Sequence, residues 1–325
     1  MRESGSGREG AAGAPVEAIR TDRLSRRFGE VVAVDELTLA VGRGELFGLV
    51  GPDGAGKTTA IRLLAAILSP SAGDAWILGH SVRSQAAEVH ERIGYMSQRF
   101  GLYADLTVAE NLNFYADLHG VPRRERASRF EELFAFSGLG PFGRRLAGNL
   151  SGGMRQKLGL SCALVHAPSV LLLDEPTSGV DPVSRRDFWK ILYRLLREGV
   201  AVLVSTAYLD EAERCRRVGL LHRGKLLAAG SPGEVRSLFR GSLLSVRSGE
   251  PRRVAAALRQ AFPGAAVSLF GDRVHFGARD LPDSSRAVES ALAGAGVPFD
   301  SLDQVPPSLE DIFVSVLAGD GGEPA

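Results

Sequence analysis

The stretch that decides the fold of this chain reads Gly51-Pro52-Asp53-Gly54-Ala55-Gly56-Lys57-Thr58-Thr59. It follows an apolar run, Leu46–Val50, which predicts a buried strand, and it leads into residues 60–68, which predict a helix. A strand, a glycine-rich turn, a Lys-Thr pair and a helix in this order form the phosphate-binding pattern G-x-x-x-x-G-K-[ST]. The alternative is a turn that only joins a strand to a helix, and the elements predicted on both sides make it the weaker interpretation.

This loop suits a nucleoside triphosphate for chemical reasons. Glycines let backbone N–H groups curve around phosphate oxygens, and the helix that follows adds the positive end of its dipole. Lys57 is predicted to reach the β- and γ-phosphates, and the Thr58 hydroxyl is predicted to bind Mg²⁺. We therefore predict that the chain binds a nucleoside triphosphate together with Mg²⁺.

A second chemical signal lies at the end of another apolar run. Residues 169–173 predict a buried strand, and Asp174 and Glu175 follow it directly. Charged groups are seldom left unpaired in a core, so carboxylates at the carboxyl end of a strand are best explained by a metal ion and a water. Asp174 is predicted to hold Mg²⁺, directly or through water, and Glu175 to polarise the attacking water.

A third stretch, residues 149–157, predicts the start of a helix. Ser151 is a suitable N-cap, and Gly152 and Gly153 leave backbone N–H groups open at the helix start. Such a helix end is able to bind a second phosphate. Taken alone, a Ser-Gly-Gly sequence more often marks an ordinary loop.

The rest of the first 240 residues alternates between strand and helix patterns. Residues 16–41 predict strands of an antiparallel sheet edge, 106–135 and 183–198 predict helices, and 200–205 predicts a buried strand. Phe28 ends the first strand pattern. From its spacing a core side chain is favoured, although an aromatic ring there could also stack on an adenine.

Taken together, these motifs resemble the nucleotide-binding domain of ABC transporters. The resemblance covers about residues 16–238 and depends on motifs that occur in one order: the phosphate-binding loop, Gln98 after its strand, the signature 150–156, the segment 173–176, and the loop 178–181. It implies an α/β P-loop NTPase of the ABC type over residues 16–240, with a RecA-like core, an antiparallel β edge and a helical subdomain at about 99–160.

The resemblance also implies how ATP is bound. Two such domains pair head to tail, and each ATP lies between the phosphate-binding loop of one subunit and Ser151, Gly152 and Gly153 of the other. The second domain is either a copy of this chain or a different ATPase. Phe28 occupies the position of the adenine-stacking aromatic, which reverses the preference for a core side chain.

Four further expectations follow from the resemblance. Glu175 is the general base, and Asp174 and Thr58 hold Mg²⁺. Gln98 contacts Mg²⁺ and relays closure to a membrane partner, with the segment from Gln98 onward lining a groove for the coupling helix of a permease. Asp181 links the two ATP sites.

One position departs from the family pattern. After the strand 202–206 the family usually places a histidine that contacts the γ-phosphate, and here Ala207 stands there. The alanine side chain cannot donate a hydrogen bond, and where a site depends on a charge-assisted contact of this kind its loss costs several kcal/mol of transition-state stabilisation, by analogy with about 3 kcal/mol for an oxyanion donor. Either Glu175 and Gln98 suffice and the site is slower, or this subunit is the weak half of an asymmetric pair.

Beyond residue 240 the pattern changes to a smaller unit. Strand, helix, hairpin, helix and strand patterns follow in the order βαββαβ, which predicts a ferredoxin-like α+β domain over residues 241–320. Ser308 is predicted to cap a last helix, with Asp311 three residues later. The segment 307–313 resembles the tail of bacterial drug-, antibiotic- and polysaccharide-exporter ATPases, and a packing or regulatory role is favoured for this domain.

Composition limits the remaining alternatives. The 325 residues are 44% hydrophobic and 24% charged with a net charge of +1, which gives no electrostatic reason to expect a nucleic-acid surface. Residues 1–15 predict a disordered tail, and no apolar run approaches the roughly 18 residues that span a bilayer.

We therefore predict the ATPase subunit of an exporter, cytoplasmic and bound to the inner face of the membrane through a separate permease. A non-transport ABC ATPase acting on ribosomes or DNA is the alternative from another class, and an import ATPase is disfavoured by the tail.

Overall fold

The computed structural model describes residues 17–98, 101–239, 241–278 and 283–319. The chain divides into two compact units. Among the described residues, the first unit comprises 17–47, 54–205 and 223–225, and the second comprises 48–53, 206–222 and those from 226 onward. The tail predicted at 1–15 lies outside the described residues, as does residue 240, where the boundary between the two predicted domains falls.

The first unit begins with an antiparallel sheet, as the sequence predicts. Its strands are β1 (Glu17–Phe28), β2 (Val31–Leu37), β3 (Ala40–Gly42), β5 (Ala72–Ile77) and β6 (His80–Ser81), and β4 (Leu46–Val50) leads from them into the phosphate-binding loop. The strand order is β2-β1-β5-β6, with β3 also paired to β1. This sheet is the predicted antiparallel β edge.

Asp174 is the last residue of the middle one of three neighbouring parallel strands. They are β7 (Ile93–Met96), β8 (Val170–Asp174) and β9 (Ala201–Thr206), with β8 in the middle. Every residue of β8 is buried, which explains its continuous apolar sequence. The register places Asp174 opposite Ser205, so the carboxyl ends of β8 and β9 lie side by side.

The described residues of the first unit also form six helices: α1 (Lys57–Leu64), α2 (Ala86–His90), α3 (Val108–Leu118), α4 (Arg123–Ser137), α5 (Gly152–Leu164) and α6 (Pro182–Arg197). Two short 3₁₀ turns, Gly140–Phe142 and Ala147–Asn149, connect α4 to α5. The helices that begin after residue 106 and end at 164 correspond to the predicted helical subdomain.

Two helix predictions were wrong in their bounds. The helical pattern predicted over 106–135 is divided between two helices, because Gly120 has a φ of +64° and Pro122 precedes α4, so the helical backbone cannot continue through them. The helix expected over 60–68 begins earlier, at Lys57, and ends at Leu64. It ends there because the chain turns at Ala66, whose φ is +53°.

The second unit contains two short helices, α7 (Leu209–Ala212) and α8 (Pro232–Arg236), and the paired strands β10 (Arg217–His222) and β11 (Lys225–Gly230). Its C-terminal part follows as β12 (Ser242–Arg247), α9 (Pro251–Ala261), β13 (Ala266–Phe270), β14 (Arg273–Ala278), α10 (Ser284–Gly294), β15 (Ser301–Gln304) and α11 (Leu309–Gly319).

The four C-terminal strands form the antiparallel sheet β13-β14-β12-β15. The βαββαβ order with this interleaved pairing is the predicted ferredoxin-like fold. Leu244, Val246 and Phe276 of the sheet pack with Val254 and Leu258 of α9 in one hydrophobic core. Helix α11 contacts β13 and β14 and holds Leu309 and Ile312 buried.

Candidate functional site

The phosphate-binding loop has the backbone that its glycines permit. Gly54 and Gly56 have φ values of +77° and +103°, in the region that favours glycine. A Cβ added to Gly56 would collide with the carbonyl oxygen of Ala33. Gly56 immediately precedes α1, so Lys57 and Thr58 are its first two residues. The loop therefore leads directly into the N-terminus of a helix, as an anion site requires.

Asp174 ends β8 and is fully buried. Its Oδ1 accepts hydrogen bonds from the Thr58 hydroxyl at 3.1 Å and from the Ser205 hydroxyl at 2.8 Å. Its Oδ2 is also buried and has no hydrogen-bond partner among the described residues. Burial raises the pKa of Asp174, and the hydrogen bonds from Ser205 and Thr58 oppose that rise. Oδ1 of Asp174 therefore accepts two hydrogen bonds, whereas Oδ2 accepts none from the described residues.

Glu175 follows with a backbone that few non-glycine residues adopt, since its φ is +47°. Its Oε1 lies 3.1 Å from the Lys57 ammonium, and its Oε2 accepts a hydrogen bond from the Gln98 side-chain amide at 2.8 Å. Lys57 and Glu175 are both nearly buried, with side chains 4% and 13% exposed. In this structure the lysine that is predicted to bind phosphate is therefore paired with the predicted general base.

The contacts around Thr58 and Asp174 fit a magnesium ion. Mg²⁺ prefers oxygen ligands and is usually held at nucleotide sites by one or two protein groups together with the substrate phosphates. The Thr58 hydroxyl and the unpartnered Asp174 Oδ2 are oxygens of that kind, and Gln98 reaches the same cluster through Glu175. The structure thus brings together Gln98, Lys57, Thr58, Asp174 and Glu175.

The predicted signature lies at the start of α5. Ser151 caps this helix, because its hydroxyl accepts a hydrogen bond from the Met154 N–H at 3.3 Å. Asp181 caps α6 in the same way, accepting from the N–H groups of Val183 and Ser184. A Cβ on Gly153 would collide with the Ser184 side chain, so glycine lets the two helix starts pack closely.

Asp181 is the residue expected to link the two ATP sites. Hydrogen bonds from the side chain and the N–H of Ser184 lower the pKa of Asp181. The packing at Gly153 therefore joins the signature helix directly to the loop that carries Asp181.

Phe28 is not a core residue, so the interpretation from its spacing alone was wrong. It ends β1 with 44% of its surface exposed, and the Arg26 guanidinium lies 4.6 Å from the centre of its ring. Ala207 directly follows β9 and is exposed. Beside it the Thr206 hydroxyl donates to the buried Glu211 carboxylate at 2.8 Å and accepts from the Tyr208 N–H at 2.9 Å.

Ser205 is the residue that sequence analysis missed. It closes the apolar run of β9, and its hydroxyl contacts both Asp174 and the N–H of Glu175. A polar residue at the end of a buried strand, beside a strand that ends in two carboxylates, was the available signal.

The fold and these contacts define a P-loop nucleotide-binding domain. The family model described as ABC transporter matches residues 34–178. A daunorubicin/doxorubicin resistance ATP-binding protein, DrrA of Streptomyces peucetius, is 35% identical over 315 residues, which cover 96% of this chain and 94% of that protein. The chain belongs to the family of ABC transporter ATP-binding proteins.

A longer relative and a solved structure are also similar to this chain, and both are described as ATP-binding parts of ABC transporters. The probable multidrug ABC transporter ATP-binding protein YbhF of Escherichia coli is 42% identical over 311 residues, which cover 93% of this chain and 52% of YbhF. The chain therefore matches about half of that relative's length. A structure titled as the ATP binding subunit of an ABC transporter superposes with a TM-score of 0.63 at 28% identity, covering 68% of this chain and 93% of that one.

Proposed function

We propose that this chain is the ATP-hydrolysing subunit of an ABC exporter and drives efflux through a separate membrane permease. The observation that carries the proposal is the set of contacts among Lys57, Thr58, Asp174, Glu175 and Gln98. These are the groups that phosphoryl transfer requires: a cation for the phosphates, oxygens for Mg²⁺ and a carboxylate for the water.

Hydrolysis requires that the observed ion pair open. Lys57 leaves the Glu175 carboxylate when it turns to the phosphates, because one ammonium group cannot serve both at full strength. Glu175 is then free to accept a proton from water as the water oxygen bonds to the γ-phosphorus and the bond to the β,γ-bridging oxygen breaks. Mg²⁺, when bound by Thr58 and Asp174, offsets the negative charge that develops on the phosphates.

Two further binding roles belong to this proposal. Phe28 has the exposed ring that stacking on adenine needs, and the loop residues Gly51, Pro52, Asp53, Gly54, Ala55, Gly56 and Thr59 surround the phosphates. Ser151, Gly152 and Gly153 bind the ATP held by a second ATP-binding domain, and Asp181 connects the two sites.

The permease is the proposed membrane partner. Among the described residues no helix is long and apolar enough to cross a membrane. Later in the chain than Gln98, the side chains of Tyr103 and Phe114 are 45% and 38% exposed, and their rings meet edge to face with their centres 4.6 Å apart. Such exposed aromatic rings suit docking of a helix from the permease. We place the chain at the cytoplasmic face of the membrane, bound through this surface.

The relatives' names support a drug-like substrate. The two relatives described above are named for multidrug transport and for daunorubicin and doxorubicin resistance. We propose efflux of a compound of that class.

Steady-state ATP hydrolysis by the purified chain, with Glu175→Gln as the blank, tests the proposal. We expect Mg²⁺-dependent turnover in the wild type and a loss of at least about 100-fold in the variant, because the proton acceptor is removed. Wild-type turnover equal to that of Glu175→Gln would contradict it. Nucleic-acid binding that weakens steeply with salt would instead favour a non-transport ATPase.

A further inference from the structure

The Ser205 hydroxyl connects the two carboxylate residues of the site. Its oxygen accepts a hydrogen bond from the Glu175 N–H at 3.0 Å, and its own proton goes to Asp174 Oδ1 at 2.8 Å. A serine hydroxyl has one proton and two lone pairs, so both contacts are possible at once with the donor roles fixed. Ser205 is fully buried, so water does not compete for these bonds.

The contact with Glu175 supports a strained backbone. A non-glycine residue with positive φ costs of order 1 kcal/mol and persists where surrounding contacts hold it. The Glu175 N–H is bonded to both the hydroxyl and the carbonyl oxygen of Ser205, the second at 3.2 Å. This backbone turns the chain at the end of β8, and the Glu175 side chain there meets Lys57 and Gln98.

The contact with Asp174 decides which of its oxygens remains available. The hydroxyls of Ser205 and Thr58 both donate to Oδ1, and Oδ2 is left without a hydrogen-bond partner in the described part of the chain. Two donors on one oxygen fix the rotation of the carboxylate. If Ser205 could not donate, Thr58 alone would hold it.

We infer that Ser205 is a positioning residue for ATP hydrolysis, fixing the backbone of Glu175 and leaving Asp174 Oδ2 free for Mg²⁺. The inference rests on the proposed function and deepens it. Ser205 itself acts only through its two neighbours. Outer residues that orient metal ligands affect metal affinity or activity by about 10- to 100-fold, which sets the size of effect to look for.

The test compares four variants of the full chain. Ser205→Ala removes both hydrogen bonds, Ser205→Cys removes most of their strength while keeping a side chain of similar shape, and Ser205→Thr keeps the hydroxyl. The matched control is Ser245→Ala, the same change in a buried strand, where the hydroxyl has no hydrogen-bond partner among the described residues. Thermal unfolding of each variant verifies that it is folded.

Two measurements are made on each protein. One is the kcat and KM for ATP, and the other is binding of a fluorescent ATP analogue as Mg²⁺ is increased. For Ser205→Ala and Ser205→Cys at saturating Mg²⁺ we expect kcat to fall at least tenfold with KM within about twofold, because the loop that binds the nucleotide is unchanged. The Mg²⁺ concentration that half-maximally tightens nucleotide binding should rise about tenfold.

We expect Ser205→Thr to recover both values to within about threefold and Ser245→Ala to match the wild type. Wild-type kcat and Mg²⁺ dependence in Ser205→Ala, or an equal loss in Ser205→Thr, would overturn the inference. A wild type that binds the analogue with Mg²⁺ but hydrolyses no ATP would refute the proposed function alone. The Mg²⁺ titration would then still decide the role of Ser205.

Discussion

Two buried aspartates, one in each unit, differ in how completely they are hydrogen-bonded. Asp311 at the start of α11 is 3% exposed, and both of its oxygens are occupied. Oδ1 accepts from His275 Nδ1 at 2.9 Å, and Oδ2 accepts from the N–H and the hydroxyl of Ser308 at 2.9 and 2.6 Å. Asp174 is at least as buried, yet its Oδ2 has no hydrogen-bond partner in the part of the chain that the structure describes.

This difference separates a carboxylate whose two oxygens are both hydrogen-bonded from one that has an oxygen without a hydrogen-bond partner among the described residues. A buried charge is costly unless it is paired and hydrogen-bonded, and Asp311 meets that condition with protein groups alone. Asp174 meets it only in part, beside a loop suited to phosphate. We therefore expect changes at Asp311 to affect stability and changes around Asp174 to affect nucleotide chemistry.

The largest expected effect is on the nucleotide side. Lys57→Met removes the ammonium group that pairs with Glu175 and is proposed to bind the phosphates. Since charge-assisted hydrogen bonds contribute about 1.5–3 kcal/mol each, ATP affinity should fall at least about 100-fold. Titration with a fluorescent ATP analogue measures it. Lys190→Met, on an exposed lysine paired with Asp187, is the control, and a loss below threefold in Lys57→Met would refute the prediction.

The next effect is on the stability of the C-terminal part. Asp311→Ala leaves His275 and Ser308 without the carboxylate that they share, and losing the acceptor of three hydrogen bonds costs about 3 kcal/mol. Urea unfolding followed by circular dichroism should show this decrease, while ATP binding stays unchanged. The adjacent exposed Glu310→Ala should change the free energy of unfolding by no more than about 0.5 kcal/mol. Equal effects of the two variants would argue against Asp311 as a structural anchor.

A smaller effect on the pH dependence of stability is expected from His166. His275 contacts the Asp311 carboxylate, whereas His166 contacts the backbone carbonyl oxygen of Ile93. His166 stacks on His119 at 3.8 Å between ring centres. Burial lowers the pKa of His166 to about 4, and the neighbouring charges of His119 and Arg129 add to this. The unfolded chain, with an ordinary value near 6.5, therefore binds more protons between pH 6.5 and 4, so stability falls as the pH drops through that range.

Urea unfolding at pH 7 and pH 5 measures this dependence. His166→Gln should lose less stability on acidification than the wild type does, because one of the groups that resist protonation is gone. Ser128→Ala, on α4 next to Arg129, carries no titrating change and should behave as the wild type. An identical loss in His166→Gln and wild type would show that His166 does not contribute.

The smallest expected effect is at Ala207. Because Lys57, Gln98 and Glu175 are already assembled, Ala207→His should change kcat for ATP by no more than about threefold. Steady-state hydrolysis measures it, with Glu175→Gln as the blank. A rise of 100-fold, which is what a missing donor worth about 3 kcal/mol would restore, would instead indicate a weak site that pairs with a more active ATPase.

Local signals in the sequence were predictive. The loop 51–59 and the helix after it were predicted from the loop's own glycines and Lys57, and Ser151 and Ser308 cap the helices they precede. The division of 106–135 into two helices could also have been predicted from local sequence, because Gly120 and Pro122 mark the break. The βαββαβ order was enough to predict the C-terminal sheet, since few strand pairings satisfy it.

Contacts that depend on strand register were not predictable. Ser205 meets Asp174 only because β8 and β9 pair in a particular register, and the two residues are 31 positions apart. His275 and Asp311 are 36 positions apart and meet through the packing of α11 on the sheet. Spacing along the chain does not encode either contact. The sequence therefore could not show which of the two aspartates has hydrogen-bond partners for both of its oxygens.

The most direct measurement is a Mg²⁺ titration of ATP-analogue binding to the wild type, Asp174→Asn and Asp311→Asn, all as full chains. We predict that Mg²⁺ tightens binding in the wild type and in Asp311→Asn, and that Asp174→Asn loses at least tenfold of that tightening because a charged metal ligand is replaced by a neutral amide. Undiminished Mg²⁺ dependence in Asp174→Asn, or a loss of equal size in Asp311→Asn, would contradict the account.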